Sequence, residues 1–305
     1  MFLTVLSQVC ILLIMIMIGF GAGKAGIMTE EGAKCCTDIA LIIVTPCVII
    51  KSLVREYSSE IMKSLALAFG LTLLVQVLMI ALSTLIFHAK DKKRERVLRF
   101  GTIFANAGFM SLPLQQVLLG ADGMLYGSAY VVMFNLVVWS YGVFLMSGDK
   151  KYISPKKLVT NPGLVGLAAG LIIFVFSIPL PGMISSALDY MAAIYTPLPM
   201  LIIGYHLSQT NVLKTLKDKW CIISVFVRLI AYPLAALGAL YLLGIRGNLL
   251  VSIVISVSAP VAAVTTMFSA KFSGDTPLSV NMVSLSTVLS LGSMPLVITL
   301  AQYLA

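Results

Sequence analysis

Residues Arg99–Gly123, RFGTIFANAGFMSLPLQQVLLGADG, form an apolar segment long enough to cross a lipid bilayer, with polar and helix-breaking residues at its centre. Asn106 and Ser111 are polar, Gly108 has no side chain, and Pro113 has no backbone N–H group. Lipid offers no hydrogen-bond partner to an interrupted helix, so protein, water or a ligand must supply one. The segment therefore indicates a membrane helix that is broken near its middle.

The rest of the chain is similarly apolar. Of its 305 residues, 59% are hydrophobic and 11% are charged, and the mean hydropathy is +1.03. A water-soluble domain cannot bury this much apolar surface, so we expect an all-α polytopic membrane protein. The apolar runs predict ten membrane-spanning helices, at residues 2–23, 35–53, 61–87, 97–119, 123–147, 163–178, 183–207, 220–243, 248–270 and 277–303.

Positive charges are distributed unequally between the two sets of loops that these spans define. One set holds 16 lysines and arginines, the other holds only Lys51, Arg55, Lys63 and Arg246, and Arg228 falls inside a span. Because basic loops face the cytoplasm, we expect a multi-pass plasma-membrane protein with both termini outside the cell. The net charge of +9 then reflects topology, and no nucleic-acid partner is expected.

Both halves of the chain carry one spaced pattern. An aspartate is followed seven residues later by Thr-Pro, and a further proline comes 67 residues after that proline in the first half and 63 in the second. The residues concerned are Asp38, Thr45, Pro46 and Pro113, and then Asp189, Thr196, Pro197 and Pro260. Two explanations stay open, an internal repeat or an accidental similarity between scaffold helices.

An internal repeat predicts two five-helix units, at residues 1–150 and 163–305, joined by a basic cytoplasmic linker at 151–162. Since each unit has an odd number of spans, the second enters the membrane from the opposite side. Secondary transporters use such inverted repeats, and their interrupted helices meet near the midplane around the substrate.

The second half contains its own interrupted span, with Ser256, Ser258 and Pro260 in VISVSAPVAAVTT. If both spans unwind ahead of their prolines, two half-helix N-termini face one point and favour an anion there. The alternative is a pair of proline kinks that neighbouring helices pack. Asn106 would bind such an anion through its amide, or else would hydrogen-bond a neighbouring helix.

Three segments resemble the auxin efflux carrier family, which comprises plant auxin exporters and bacterial malate or malonate permeases. They are NAGFMSLP at 106–113, VRLIAYPLAAL at 227–237 and the region from RGNLLVS to SVNMV at 246–283. The resemblance implies two inverted five-helix repeats whose helices 4 and 9 cross at their prolines. It also implies a scaffold of helices 1, 2, 6 and 7, often a homodimer interface, and a transport domain of helices 3–5 and 8–10 that moves as an elevator.

The resemblance also implies which residues form the site. Asn106, Pro113 and Pro260 match the crossing positions, whereas Ser256 stands where the plant carriers have glutamine, and the short linker resembles that of bacterial members. We expect substrate contacts from Asn106, Ser111, Pro113, Ser256, Ser258 and Pro260, and helix-breaking roles for Gly108, Pro46 and Pro197.

Remaining ionisable and reactive residues restrict the function. Arg228 within a span either supplies positive potential for a carboxylate or holds the transport domain together. The alternative is that it snorkels toward the cytoplasm or pairs with backbone carbonyls. Five cysteines lack metal-site spacing, so neither a metal nor a cofactor is expected. Motifs of intramembrane enzymes are absent from the sequence. These features favour a secondary or potential-driven carrier of small organic anions that is not an enzyme, with a sodium-coupled symporter of similar fold as the alternative.

Overall fold

The computed structural model describes residues 2–209 and 218–305, so Lys214 and Lys217 of the basic loops lie outside the described residues. Within those ranges the chain is helical, with no β-strands and one isolated β-bridge, between Ala105 and Val261. The helices are α1 Phe2–Lys24, α2 Glu30–Leu53, α3 Ser59–Ile86, α4 Lys92–Ile103, α5 Ala107–Ser147, α6 Pro155–Val159, α7 Pro162–Val175, α8 Gly182–Ser208, α9 Lys219–Leu242, α10 Gly247–Ser258, α11 Val264–Lys271 and α12 Thr276–Leu304.

Seven of the described helices, α1, α2, α3, α5, α8, α9 and α12, are long and apolar enough to span a membrane, and α7 and α10 are shorter apolar helices. With 41 residues, α5 would measure about 61 Å, twice the hydrocarbon thickness. Gly120 divides it, with φ 61° and ψ −137°, where the sequence predicts a turn between two spans. The all-helical prediction is confirmed, whereas the count of ten spans and the inverted repeat stay predictions.

Glycines allow the close packing of two helix pairs. A Cβ atom on Gly19 of α1 would collide with the backbone of Leu201 in α8, and one on Gly204 of α8 would collide with the Ile16 carbonyl of α1. In the same way, a Cβ on Gly166 of α7 would lie 2.8 Å from the Cα of Pro46 in α2. Both pairs therefore join helices from opposite halves of the sequence.

Three prolines are accommodated inside continuous helices by a wider turn. Pro46, Pro113 and Pro233 each follow a π-helical segment, Ile39–Val44, Ala107–Ser111 or Val227–Ala231, and lie at the second position of the α-helical segment after it. Proline cannot donate to the carbonyl four residues earlier, and the π turn shifts the hydrogen-bond register at that point. The helix α2 therefore continues through Pro46, and the helix-breaking or structural role expected for Pro46 stays a prediction.

Ionic contacts hold the first turns of α4, α9 and α12 close together. Arg94 of α4 bonds the Asp218 carboxylate at 2.5 and 2.6 Å and pairs with Asp275 at 3.4 Å. The two aspartates also cap the N-termini of α9 and α12. Burial alone lowers the pKa of Arg94, but the hydrogen bond and charge of Asp218 raise it above its ordinary value. Charge and helix capping thus fix where α4 enters the bundle.

Candidate functional site

Two helical arms are each interrupted, the first between α4 and α5 and the second between α10 and α11, and the two interruptions lie against each other at a place that we call the crossing. The chain is extended between α4 and α5 and again between α10 and α11, and the two extended segments pair in antiparallel orientation. The Asn106 N–H group donates to the Pro260 carbonyl at 2.7 Å, and the Ala262 N–H group donates to the Phe104 carbonyl at 2.9 Å. Each break thereby satisfies backbone groups that the other break exposes.

The two prolines lie at different distances from the breaks in their helices. In the first arm the chain unwinds at residues 104–106, and Pro113 lies further along inside α5. In the second arm Pro260 lies within the break itself, four residues before α11 begins at Val264. The prolines are near the crossing, but the exchange of backbone hydrogen bonds between the arms sets its location.

Arg228 of α9 holds the two helix ends that arrive at the crossing. Its guanidinium donates to the carbonyls of Thr102 at 3.0 Å, Ile103 at 3.1 Å and Ala259 at 3.3 Å, and also to that of Val257. These carbonyls belong to the C-terminal ends of α4 and α10, which carry partial negative charge. Arg228 is fully buried and has no acidic partner among the described residues. Among the roles left open for Arg228, the contacts of its guanidinium are those of pairing with backbone carbonyls.

Asn106 lies just before the N-terminus of α5 and is 8% exposed. Its backbone is bonded, but within the part of the chain that the structure describes its carboxamide makes no hydrogen bond. Every residue from Gly101 to Gln115 is buried except Gly108, which is partly exposed. An unpaired amide therefore lies at the crossing, beside the one partly exposed position of this stretch.

Tyr195 of α8 faces this position, and sequence reasoning missed it. A Cβ on Gly108 would lie 3.2 Å from the Tyr195 hydroxyl oxygen, and the Tyr195 and Phe109 rings are 6.3 Å apart. Tyr195 also interacts with the Thr45 side chain of α2. The sequence did offer one signal for Tyr195. It directly precedes the second Thr-Pro pair, Thr196-Pro197, where α8 turns.

A buried amide network joins the two arms beyond the crossing. Gln115 of α5 donates to the Ser256 hydroxyl at 2.8 Å and accepts from the Ser252 hydroxyl at 2.6 Å. Ser111 donates to the Ala107 carbonyl, and Ser258 donates to the Val254 carbonyl at 2.7 Å. The three predicted serines thus use their hydroxyl groups within the protein. Sequence reasoning missed Gln115, although a glutamine in an apolar span is itself a signal.

Other residues lie away from the crossing or support it. The predicted Pro46 packs against Gly166 of α7. Asn135, for which no role was predicted, donates its amide to the Val131 carbonyl one turn earlier in its own helix. Ser286 of α12, which was not predicted, accepts from the Val261 N–H group at 3.0 Å and so supports the second break. The crossing is therefore built from α4, α5, α9, α10, α11 and α12.

The electrostatics of the crossing favour a negatively charged group. The N-termini of α5 and α11 leave partial positive charge there, while Arg228 neutralises the opposing C-termini. The described residues contain no cluster of three or more histidine, cysteine or acidic side chains that could hold a metal ion. A free amide next to helix N-termini can donate hydrogen bonds to an anion such as a carboxylate.

Discontinuous membrane helices whose breaks lie together are typical of secondary transporters. The family model described as "Membrane transport protein" matches residues 4–298. The chain therefore belongs to this family, the auxin efflux carriers, and is a multi-pass membrane protein.

Two archaeal relatives, both named uncharacterized transporters, match over nearly their whole length. The protein from Methanocaldococcus jannaschii is 27% identical over 299 residues, covering 94% of this chain and 95% of the relative. The protein from Methanothermobacter thermautotrophicus is 26% identical over 297 residues, covering 96% of each.

Proposed function

We propose that the protein is a secondary or potential-driven carrier of small organic anions, mono- or dicarboxylates, and that the substrate carboxylate binds at the crossing. The observation that carries this proposal is the unpaired Asn106 carboxamide beside the N-terminus of α5. An amide binds a carboxylate without the desolvation penalty of a buried lysine or arginine. Release on the other side of the membrane then breaks hydrogen bonds to an amide instead of an ion pair.

Arg228 supports binding without contacting the substrate. The Nε and both Nη atoms of its guanidinium already donate to carbonyls of α4 and α10. Its charge cancels the negative potential of those two helix ends, which would otherwise oppose an anion at the crossing. Arg228 therefore leaves the net electrostatic potential at the crossing positive, while its side chain stays bonded to the ends of α4 and α10.

The same contacts weigh against the sodium-coupled alternative. Carbonyl oxygens of unwound membrane helices are the groups that bind sodium in carriers of related architecture. Here the carbonyls of Thr102, Ile103, Val257 and Ala259 accept from Arg228, so a fixed organic cation occupies the place that a sodium ion would need. We therefore expect transport to proceed without sodium.

For the transport movement we propose that α3, α4, α5 and α9–α12 move as one unit against α1, α2, α7 and α8, which would form the scaffold and a homodimer interface. Hydrogen bonds of Arg228, Gln115 and Ser286 link the members of the first group. Between the groups, polar contacts are sparser: Arg55 donates to the Ala121 carbonyl at 2.9 Å and pairs with Asp122 at 3.7 Å. Such exposed contacts are weak and allow sliding.

The test is uptake into liposomes that contain the purified protein. Labelled malate, malonate and indole-bearing acids are offered with and without gradients of sodium, protons and electrical potential. We expect carboxylate uptake that responds to potential and not to sodium. Asn106→Ala should reduce uptake by about tenfold or more, the value of a hydrogen bond to a charged group. Asn135→Ala is the control, because the Asn135 amide bonds only within its own helix.

Each alternative result has a definite meaning. Absence of binding and uptake for every carboxylate would overturn the organic-anion proposal. Uptake that requires sodium would favour the symporter. Normal uptake by the Asn106→Ala variant would remove Asn106 from the binding site while leaving the carrier function in place.

A further inference from the structure

We infer that a pocket between the end of α5, the linker and the end of α11 binds a small carboxylate, at a site separate from the crossing. This inference goes beyond the proposed function and does not depend on it. The pocket has a volume of about 70 Å³ and is lined by Trp139, Val143, Tyr152, Ser154, Lys271 and Phe272; we call it the linker pocket. A single water molecule needs about 10 to 15 Å³, so the linker pocket has room for several non-hydrogen atoms.

Hydrogen-bond donors supply the polar part of the lining. Lys271 brings an ammonium group, Trp139 an indole N–H group and Tyr152 a phenol O–H group. Within the part of the chain that the structure describes, these three side chains make no hydrogen bond and have no acidic partner. None of the described residues that line the pocket is acidic. A cavity with free donors and no carboxylate of its own favours an anion.

The charge at the pocket is positive although two helices end there. Lys271 lies in the last turn of α11, whose C-terminus carries about half a negative charge, so one full positive charge exceeds it. At the end of α5, the Arg96 guanidinium donates to the Met146 carbonyl at 3.4 Å and to the Ser147 carbonyl at 3.5 Å. Neither helix end therefore opposes a singly charged acid.

One cation and two neutral donors suit a carboxylate better than a phosphate. A carboxylate group carries one charge, which Lys271 matches, and its two oxygens accept several hydrogen bonds. Phosphate carries more charge and is typically bound by several basic side chains or by a helix N-terminus, whereas α5 and α11 reach this pocket with their C-terminal ends. Apolar atoms of Val143 and Phe272 complete the lining beside a short carbon chain.

Aromatic packing holds the walls of the linker pocket against α11. The Trp139 and Phe268 rings are 5.3 Å apart, and the Tyr152 and Phe272 rings are 5.5 Å apart. Tyr152 belongs to the linker that joins α5 to α7, so a bound acid would bridge the linker and the end of α11. Lys271 lies at the opposite end of α11 from the crossing, about 10 Å along the helix axis.

The first experiment uses tryptophan fluorescence of the detergent-purified protein. The chain has two tryptophans, so Trp220→Phe leaves Trp139 as the single reporter. Malonate and acetate should each change the Trp139 emission in a saturable way, whereas sodium chloride of equal ionic strength should not. An emission that neither acid changes would overturn the inference.

The charge at position 271 is tested in the same background. Lys271→Gln should raise the malonate concentration for half of the emission change about tenfold or more, because a charge-assisted hydrogen bond is lost. Lys271→Arg should keep most of the affinity. Lys156→Gln is the matched control, because it removes the same charge from an exposed lysine of the linker that does not line the pocket. Unchanged affinity in Lys271→Gln would contradict the assignment of this pocket.

Two further titrations identify the ligand. Inorganic phosphate should bind more weakly than malonate, and tighter binding of phosphate would overturn the choice of a carboxylate. In nanodiscs, the malonate response should persist when phosphatidylglycerol is added to phosphatidylcholine. Its loss in the anionic lipid would show that a lipid headgroup fills the pocket, and the assignment to a soluble acid would then be wrong.

Asn106→Ala separates this inference from the proposed function. It should leave the Trp139 titration unchanged, because Asn106 lies at the crossing. A malonate response that disappears in Asn106→Ala would show that Trp139 reports binding at the crossing, which would overturn the inference. If no variant transports any carboxylate, the proposed function fails while the titration still decides whether the linker pocket binds an acid.

Discussion

Side chains at the crossing differ in whether the protein itself pairs their polar groups. Arg228, Gln115 and Ser256 have their side-chain polar groups bonded within the bundle, whereas the Asn106 carboxamide makes no bond among the described residues. Unpaired polar groups are costly in a membrane protein. The buried Thr265 hydroxyl and Gln76 carboxamide also lack partners among the described residues, so Asn106 stands out by its place beside the partly exposed Gly108. We therefore assign Arg228, Gln115 and Ser256 to the structural support of the crossing and propose Asn106 as the binding group.

Arg228 should be required for a stable crossing. In Arg228→Gln, at least two of the four carbonyls lose their donor, at about 1 to 3 kcal/mol each. We expect the free energy of unfolding to fall by about 3 kcal/mol or more, measured by thermal unfolding of the detergent-purified protein.

Two further variants serve as an intermediate case and a control for that measurement. Arg228→Lys should fall between the wild type and Arg228→Gln, because lysine keeps the charge and loses the planar fork of donors. Arg246→Gln is the control, since Arg246 is exposed and bonds local carbonyls. Wild-type stability in Arg228→Gln would show that water or neighbouring groups replace the guanidinium.

Contacts between helix pairs depend on particular glycines, and two glycines of the same helix can differ in whether they touch the neighbouring helix. In α1, a side chain on Gly19 would collide with the backbone of Leu201, whereas one on Gly21 would meet nothing within 4 Å. Backbone cannot yield as a flexible side chain can, so the first position requires glycine and the second does not.

Gly19→Ala and Gly21→Ala therefore form a matched test of the α1–α8 contact. Gly19→Ala should lower the free energy of unfolding by about 1 to 3 kcal/mol through overpacking. Gly21→Ala should leave it unchanged or raise it slightly, because alanine favours helix over glycine. Thermal unfolding in detergent provides the measurement, and equal destabilisation of both variants would contradict the packing described for this pair.

For the whole molecule, the charge distribution leads to a prediction about orientation. On the ten-span prediction, sixteen lysines and arginines fall in one set of loops and four in the other, so we predict that the linker at 151–162 lies in the cytoplasm and Ala305 outside. An epitope tag after Ala305 should be removed by protease added to intact cells. A tag inserted in the linker should be protected until the cells are opened. The reverse pattern would overturn the proposed orientation.

Much of the architecture could be predicted from local sequence. Apolar runs and the polar or proline interruptions near Asn106 and Pro260 predicted an all-helical membrane protein with two broken segments, because hydropathy and proline geometry act over a few residues. The count of ten spans stays a prediction. The position of each break could not be read in this way. Prolines such as Pro113 were expected to open the backbone, yet a π turn absorbs Pro113 and the chain unwinds at 104–106.

By itself the sequence determined that this is an all-helical membrane protein with two interrupted segments, since those features follow from composition and from residues close together in the chain. Only the tertiary structure decided that Arg228 binds the ends of α4 and α10, that Gln115 joins the arms and that Tyr195 faces Gly108. Those contacts join residues far apart in sequence, and their partners are largely backbone carbonyls or a glycine. Such groups leave no residue-type pattern to read, so their positions depend on how the helices pack.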